Sequence, residues 1–270
     1  MDSRVVGSTD VAASADNGTV DRRKFLNDML AACCAGAPVI LGVVRLPSAF
    51  AQEAGGAYDA TEHVYGMGLD VNRCIGCARC VVACKTENDV PDEPHYFNTW
   101  IERYVLRGVD EVEVDSPNGG IDGFPPIRGE AEIRRTFFVP KLCNHCANPP
   151  CVQVCPVGAT FITEDGVVLV DEEYCIGCRY CIQACPYGAR YMKPDEHVAG
   201  KCTFCYHRLV KGKVPACVEV CPTEARVFGE LEGRATPLAR FMRFNDLQVL
   251  KPHLNTKPKA YYANMDYEVS

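Results

Sequence analysis

The chain has 270 residues, a length that allows one or two domains, and 18 of these residues are cysteines. Its formal net charge is −7, from 28 basic and 35 acidic side chains, and the lack of a basic stripe in the sequence argues against nucleic-acid binding. The cysteine content lies below that of small disulfide scaffolds and far above that of ordinary enzymes, so the cysteines need an explanation.

The first 51 residues have the pattern of an export signal. Arg22 and Arg23 precede Phe-Leu, a mostly apolar run follows over residues 31–44, and Ala49-Phe-Ala51 fits a small-x-small cleavage site. This pattern predicts a twin-arginine signal at residues 1–51, with an ordinary secretory signal as the alternative. Because the twin-arginine route exports folded proteins, we expect the protein to reach the periplasm. No apolar run approaches the roughly 20 residues of a membrane span, so we expect no transmembrane helix in the mature chain.

Sixteen of the cysteines fall into four groups of four. In chain order, the groups are Cys74, Cys77, Cys80 and Cys84; Cys143, Cys146, Cys151 and Cys155; Cys175, Cys178, Cys181 and Cys185; and Cys202, Cys205, Cys217 and Cys221. Groups one and three have the C-x2-C-x2-C-x3-C spacing of bacterial ferredoxins, in which the fourth cysteine ligates the neighbouring cluster. Three of the four groups also end in Cys-Pro, as bacterial ferredoxin motifs do. The sequence therefore predicts four [4Fe–4S] clusters.

Zinc sites and disulfide bonds are the two other uses of cysteine that compete with this interpretation. Structural zinc sites usually present two separated cysteine pairs, whereas groups one and three place three cysteines close together and a fourth four positions later. An exported protein meets an oxidising compartment, but cysteines spaced three apart along one turn are poor partners for a mutual disulfide. The spacing therefore favours iron–sulfur clusters. The alternative from a different functional class is an interaction protein without a redox role, whose fold is stabilised by zinc.

The segments around the first group predict strands. Residues 63–70 read as a strand that leads into group one, and residues 98–105 and 133–139 are rich in β-branched and aromatic side chains. Between the last two runs the chain is rich in Gly, Pro and Asp, which are turn residues. We therefore expect an exposed hairpin excursion at about residues 106–135.

A second hairpin is predicted between groups two and three, where residues 159–163 and 167–170 flank a Gly turn. Motif, hairpin and motif together make the plan of a two-cluster ferredoxin, so groups two and three should share one unit. Groups one and four are then left to pair with each other. The predicted fold class is α+β, with two interlocked bacterial-ferredoxin-like modules, an inserted β-hairpin and an irregular C-terminal tail.

The domain prediction has five parts. They are the twin-arginine signal at residues 1–51, the first module at residues 63–105 plus 196–232, the inserted hairpin or loop at residues 106–135, the second module at residues 136–195, and the C-terminal tail at residues 233–270.

Four thiolates per cluster leave no open coordination site, which argues for electron transfer and against a catalytic role for this polypeptide. No catalytic residue is predicted. Several polar side chains lie beside the motifs, and a positive charge near a cluster raises its reduction potential. Solvated surface side chains are nevertheless the simpler interpretation of Arg73, Arg79, Arg179, Lys201 and His145.

The four motifs and two longer stretches resemble a known family. The stretches are Leu142-Cys-Asn-His-Cys-Ala-Asn-Pro-Pro-Cys151 and Cys202-Thr-Phe-Cys-Tyr-His-Arg208. They resemble the four-cluster iron–sulfur subunits of membrane-associated respiratory oxidoreductases, which include the dimethyl sulfoxide, polysulfide, formate-linked nitrite and tetrathionate reductase types. The tetrathionate reductase type is the most similar, and the resemblance covers about residues 63–265.

The resemblance implies a ligand set for each cluster. The four implied sets are Cys74, Cys77, Cys80 and Cys221; Cys84, Cys202, Cys205 and Cys217; Cys143, Cys146, Cys151 and Cys185; and Cys155, Cys175, Cys178 and Cys181. It also implies two protein partners, a molybdopterin catalytic subunit and an integral membrane quinone-reactive subunit. The alternative within redox biology is the same electron-transfer role in a hydrogenase or in a sulfite-reduction-linked transmembrane complex.

Overall fold

The structure is a computed structural model that describes residues 58–108, 111–129, 133–267 and 269. The described residues all lie in one compact unit within residues 54–270. The predicted signal at residues 1–51 lies outside the described residues, so twin-arginine export stays a prediction. Among the described residues, the helices are too short or too polar to cross a membrane.

Short helices and strands alternate along the described residues. The strands are β1 (Tyr65–Asp70), β2 (Thr99–Arg107), β3 (Glu111–Asp115), β4 (Ile133–Leu142), β5 (Thr160–Ile162), β6 (Val168–Val170), β7 (Tyr191–Met192), β8 (Ala199–Gly200), β9 (Arg226–Glu230), β10 (Leu247–Gln248) and β11 (Ala260–Ala263). The α-helices are α1 (Arg79–Glu87), α2 (Pro150–Gln153), α3 (Tyr180–Gln183), α4 (Tyr206–Leu209), α5 (Ala216–Glu219) and α6 (Pro237–Phe244). Single 3₁₀ turns occupy Ala60–Glu62, Pro117–Gly120 and Pro252–Leu254.

Strand β1 lies inside a four-stranded sheet of order β10-β11-β1-β9. It pairs in parallel with β11 and antiparallel with β9. Met67 and Leu69 are fully buried, whereas a Cβ at Gly68 would lie only 2.5 Å from the Phe241 ring. Successive side chains of a strand point to opposite faces, so the glycines of β1 make room for helix α6 on one face. The strand predicted at residues 63–70 is confirmed.

The strands predicted at residues 98–105 and 133–139 are also confirmed, as β2 and β4. They form a three-stranded antiparallel sheet of order β3-β2-β4, in which Arg103 of β2 lies opposite Asp115 of β3. The Arg103 guanidinium also forms an ion pair with the Asp115 carboxylate at 2.5 Å. The excursion expected at residues 106–135 is therefore the outer part of a sheet that continues into the residues on either side.

The hairpin predicted between groups two and three is present. Thr160 of β5 lies opposite Val170 of β6, and the Thr163 N–H donates to the Val167 carbonyl at 2.9 Å. Gly166 supplies the turn with a positive φ of 76°, a conformation that a residue with a side chain adopts only at a cost.

The prediction of an irregular C-terminal tail at residues 233–270 is wrong. Thr236 caps α6, since its hydroxyl accepts a hydrogen bond from the Ala239 N–H at 3.1 Å. Strand β11 is a core element, in which Tyr262 is fully buried and donates to the Pro140 carbonyl at 3.1 Å. The four residues of β11 are too few to show a strand pattern in the sequence. The strand forms by pairing with β1, which lies far away in the sequence.

Candidate iron–sulfur sites

Cysteines of the first and fourth groups meet at one cavity. Cys74, Cys77 and Cys80 line it together with Cys221. Burial is the main cause that raises the pKa of the Cys74 thiol to about 11, and negative charge at Cys80 and Cys221 adds to the effect. The sulfur atoms of Cys74, Cys80 and Cys221 therefore lie close enough to influence one another, although they come from opposite ends of the cysteine-rich region.

A second cavity is lined by the remaining cysteines of these two groups. Cys84, Cys202, Cys205 and Cys217 line it, and all four are buried. The Asn88 side-chain amide lies 3.5 Å from the sulfur of Cys84 and 3.5 Å from that of Cys205. The uncharged amide of Asn88 therefore contacts one sulfur from group one and one from group four.

Groups two and three also share their cysteines. Burial raises the pKa of the Cys146 thiol to about 12, and charges at Cys143, Cys151 and Cys185 act in the same direction. Cys185 belongs to group three in the sequence, yet its electrostatic neighbour is Cys143 of group two. The last cysteine of group three therefore lies near cysteines of group two.

Part of the fourth expected set is gathered in one place. Cys181 and Cys175 pack with Cys151 in one small apolar cluster. Cys155 is surrounded by backbone N–H groups of residues 157–160, which lower the pKa of its thiol in spite of partial burial. Such donors stabilise a thiolate or a thiolate bound to iron.

The Cys-Ile-Gly-Cys turns have a backbone that suits close wrapping. Gly76 and Gly177 both have positive φ, of 69° and 67°, and the residue after the second cysteine is left-handed in both copies. A Cβ at Gly177 would lie 2.5 Å from the His197 carbonyl oxygen, so this position needs glycine for space as well as conformation. Helix α1 then carries Cys80 and Cys84 one turn apart, which directs adjacent thiols to the two neighbouring cavities.

The donor sets fit a [4Fe–4S] cluster. Each cavity is lined by four cysteines that come from two different groups, whereas structural zinc sites usually use two separated cysteine pairs. Buried thiols with raised pKa values become thiolates only beside a positive centre, which iron supplies. When bound, such clusters exchange single electrons, and the polypeptide's own contribution is to hold, shield and charge-balance them.

Exposure differs among the cysteines in an informative way. Cys77 and Cys178 are the exposed members, and they occupy equivalent positions in the two Cys-Ile-Gly-Cys turns. The isoleucine of each turn is also exposed, by 57% at Ile75 and 65% at Ile176. The cysteines of the second cavity are all buried. The structure thus combines enclosed cysteine sets with two that reach the surface.

Comparison with known proteins gives matches over the same region. Family models described as 4Fe-4S dicluster domains match residues 73–159 and 134–231. One tetrathionate reductase subunit, from Salmonella typhimurium, is 38% identical over 248 residues, which are 91% of this chain and 88% of the relative. The protein belongs to this family of reductase iron–sulfur subunits.

Two further family members extend the comparison. A tetrathionate reductase subunit of Archaeoglobus fulgidus is 44% identical over 74% of this chain and 82% of its own length. One polypeptide of the polysulfide reductase of Wolinella succinogenes is 37% identical over 73% of this chain and 92% of its own length. The resemblance drawn from the motifs is therefore confirmed.

Two polar side chains near the cysteines are buried, although the sequence predicted that they are solvated. Lys201 is buried and donates to the Val168 and Cys202 carbonyls, so its interpretation as a solvated side chain is wrong. His145 is also buried, and its ring stacks on Phe204 with centroids 3.6 Å apart. Burial holds the pKa of this imidazole well below its usual range, which keeps the ring neutral.

Two other buried cations were missed altogether. Arg190 and Arg226 are 5% and 3% exposed, and each lies five residues beyond a Cys-Pro cysteine. Alignment of the three Cys-Pro segments with one another would have drawn attention to them, because the same position holds Arg in two segments and Thr160 in the other. Arg73, Arg79 and Arg179 are exposed, as expected.

Proposed function

We propose that the protein is a non-catalytic electron-transfer subunit with four [4Fe–4S] clusters. The proposed ligand sets are Cys74, Cys77, Cys80 and Cys221; Cys84, Cys202, Cys205 and Cys217; Cys143, Cys146, Cys151 and Cys185; and Cys155, Cys175, Cys178 and Cys181. We call them sites A, B, C and D in that order. The observation that carries the proposal is the meeting of group-one and group-four cysteines at two cavities.

The contacts between sites support a linear relay. Cys80 and Cys84 lie one turn apart on α1, which makes sites A and B neighbours. Cys202 of site B is close enough to Cys143 of site C for their charges to interact. Cys151 of site C packs with Cys181 of site D. The order A, B, C, D follows, with two sites in each ferredoxin-like module.

The two ends of this relay have the character of docking faces. Site A presents Cys77 and Ile75 at the surface, and site D presents Cys178 with Ile176 and Tyr174. Apolar residues on an exposed surface are often covered by a partner, and electrons must enter and leave close to an end cluster. The inner cysteines are shielded from water, which suits intermediate steps.

The partners we propose are a molybdopterin-type catalytic subunit at one end and a quinone-reactive membrane subunit at the other. The relatives' names support this assignment, since they are components of tetrathionate and polysulfide reductases. We further propose that the protein works in the periplasm after twin-arginine export. The paired arginines at positions 22 and 23 support this location.

Metal analysis tests the cofactor proposal. The full-length protein, matured in cells and purified without oxygen, should contain about 16 irons, or four for each four-thiolate site. Dithionite should bleach its visible absorption and produce paramagnetic resonance (EPR) signals of reduced clusters. Stoichiometric zinc without iron would overturn the proposal. Identification of co-purifying proteins tests the partners, and recovery of the protein alone from gently solubilised membranes would contradict them.

A further inference from the structure

Arg190 and Arg226 occupy equivalent positions in the two modules. The sequences Cys185-Pro-Tyr-Gly-Ala-Arg190 and Cys221-Pro-Thr-Glu-Ala-Arg226 place each arginine five residues beyond the last cysteine of its group. Arg226 begins β9, and Arg190 directly precedes β7. Each pair of sites therefore has one buried arginine at an equivalent position.

Each guanidinium is fixed by the hydroxyl of a buried threonine. Arg226 Nη2 donates to Thr99 Oγ1 at 2.7 Å, and Arg190 Nη1 donates to Thr160 Oγ1 at 3.3 Å. Thr99 and Thr160 are 2% and 3% exposed, and each is the first residue of a strand. The same arrangement of arginine and threonine thus occurs twice on different strands.

Both arginines face cysteine sulfur. Arg190 Nη2 lies 3.2 Å from the Cys151 sulfur, and Arg226 lines the cavity of site A. Thr99, to which Arg226 donates, lines the cavity of site B. Cys151 of site C, which Arg190 contacts, packs with Cys181 of site D, so each arginine lies close to both sites of its module.

The usual counterion of a buried arginine is missing at both positions. Within the part of the chain that the structure describes, neither Arg190 nor Arg226 forms an ion pair with a carboxylate. Arg226 Nη1 is also buried without a hydrogen-bond partner among the described residues. A buried charge without compensation is strongly destabilising, so these cations need negative charge from the sites that they face.

We infer that Arg190 and Arg226 are equivalent potential-setting residues, each of which raises the reduction potentials of both sites in its own module. The inference rests on the proposed function, because it concerns the clusters assigned to those sites. A fixed positive charge in a low-dielectric interior favours the reduced, more negative state of a neighbouring cluster. Arginine suits this role because it stays protonated when buried, whereas lysine readily loses its proton.

The experiment compares neutral variants of the two arginines. Arg226→Gln and Arg190→Gln are made in the full-length protein, and each cluster is titrated with a redox dye series while its EPR signal is followed. Arg73→Gln is the matched control, since Arg73 lies next to Cys74 but is exposed and pairs with Glu224. Iron content is measured on every sample, so that cluster loss is distinguished from a change in potential.

Arg226→Gln should reduce the equilibrium constants for reduction at sites A and B by about tenfold or more, which is about 59 mV for a one-electron couple. Sites C and D should keep their potentials, and Arg190→Gln should give the opposite pattern. Arg73→Gln should leave all four potentials unchanged. Iron-loaded glutamine variants with unchanged potentials, or with equal shifts at all four sites, would overturn the inference.

Thr99→Val provides the second test if Arg226→Gln does not assemble with iron. This variant keeps the charge but removes the hydroxyl that positions Nη2. A change of potential confined to sites A and B supports the inference, and unchanged or uniformly shifted potentials overturn it. Absence of iron from the wild-type protein would instead be a failure of the proposed function.

Discussion

Replacement of Cys221 by serine should damage the site that holds Cys74, Cys77 and Cys80, although most of the cysteine-rich region lies between them in the sequence. The four sulfurs line one cavity, so the variant removes one of four thiolates from that site alone. If the weakened site releases its cluster, iron content should fall from about 16 to about 12 per polypeptide. The neighbouring Cys217→Ser variant should give the same loss from a different site.

The assay is EPR of the reduced protein, with iron and protein measured on the same samples. Cys221→Ser should lose the same resonance as Cys80→Ser, whereas Cys217→Ser should lose the resonance that Cys84→Ser loses. Cys217 and Cys221 are the matched pair, since they lie four residues apart in the sequence and line different cavities. The four resonances are thereby assigned to their sites.

One result would refute this reasoning directly. If Cys221→Ser and Cys217→Ser abolished the same resonance, each cysteine group would be closing its own cluster. The exchange of ligands between groups one and four would then be wrong, and so would the linear order of sites A to D.

Three further predictions concern export, stability and the cysteine turns. Lysine at both Arg22 and Arg23 should leave the iron-loaded protein in the cytoplasm, and its arrival in the periplasm by cell fractionation would contradict the twin-arginine assignment. Tyr262→Ala should lower the free energy of unfolding by about 3–5 kcal/mol, because it leaves a cavity where a fully buried aromatic ring was. The midpoint of denaturant unfolding, followed by circular dichroism, should fall clearly, and an unchanged midpoint would contradict the packing described for Tyr262. Gly177→Ala should impair iron loading at site D, because the new Cβ would meet a carbonyl oxygen. Gly188→Ala is the control, since Gly188 also has a positive φ but has open space around it, and this variant should retain its iron. Equal iron content in the two variants would refute the steric argument.

The cofactor type and the central strands could be predicted from the sequence because their signals are local. Cysteine spacing is a property of short loops, and the alternation around Met67 and Leu69 shows β1 directly. The hairpin between groups two and three is similarly encoded by β-branched residues on either side of Gly166.

Features that depend on distant contacts were missed. Alignment of the Cys-Pro segments points to Arg226, but its contact with Thr99 forms only when β9 and β2 lie together. The C-terminal strand was missed for the same reason, because its pairing partner β1 lies near the start of the described residues. Lys201 and His145 were misjudged because burial at a charged or titratable residue is decided by tertiary packing.

The parallel pairing of β1 with β11 has a consequence for biosynthesis. Met67 lies opposite Ala260 and Asp70 opposite Ala263, so β1 cannot pair with β11 until a strand far downstream in the sequence has been translated. Domains generally fold as units while the ribosome is still working, but the sheet around β1 cannot close until residue 263 has left the exit tunnel. Cysteine groups two and three face no such delay, because the hairpin of β5 and β6 between them is contiguous in the sequence. Translation order and assembly order therefore differ, and the sheet around β1 is completed only after β11 has been translated.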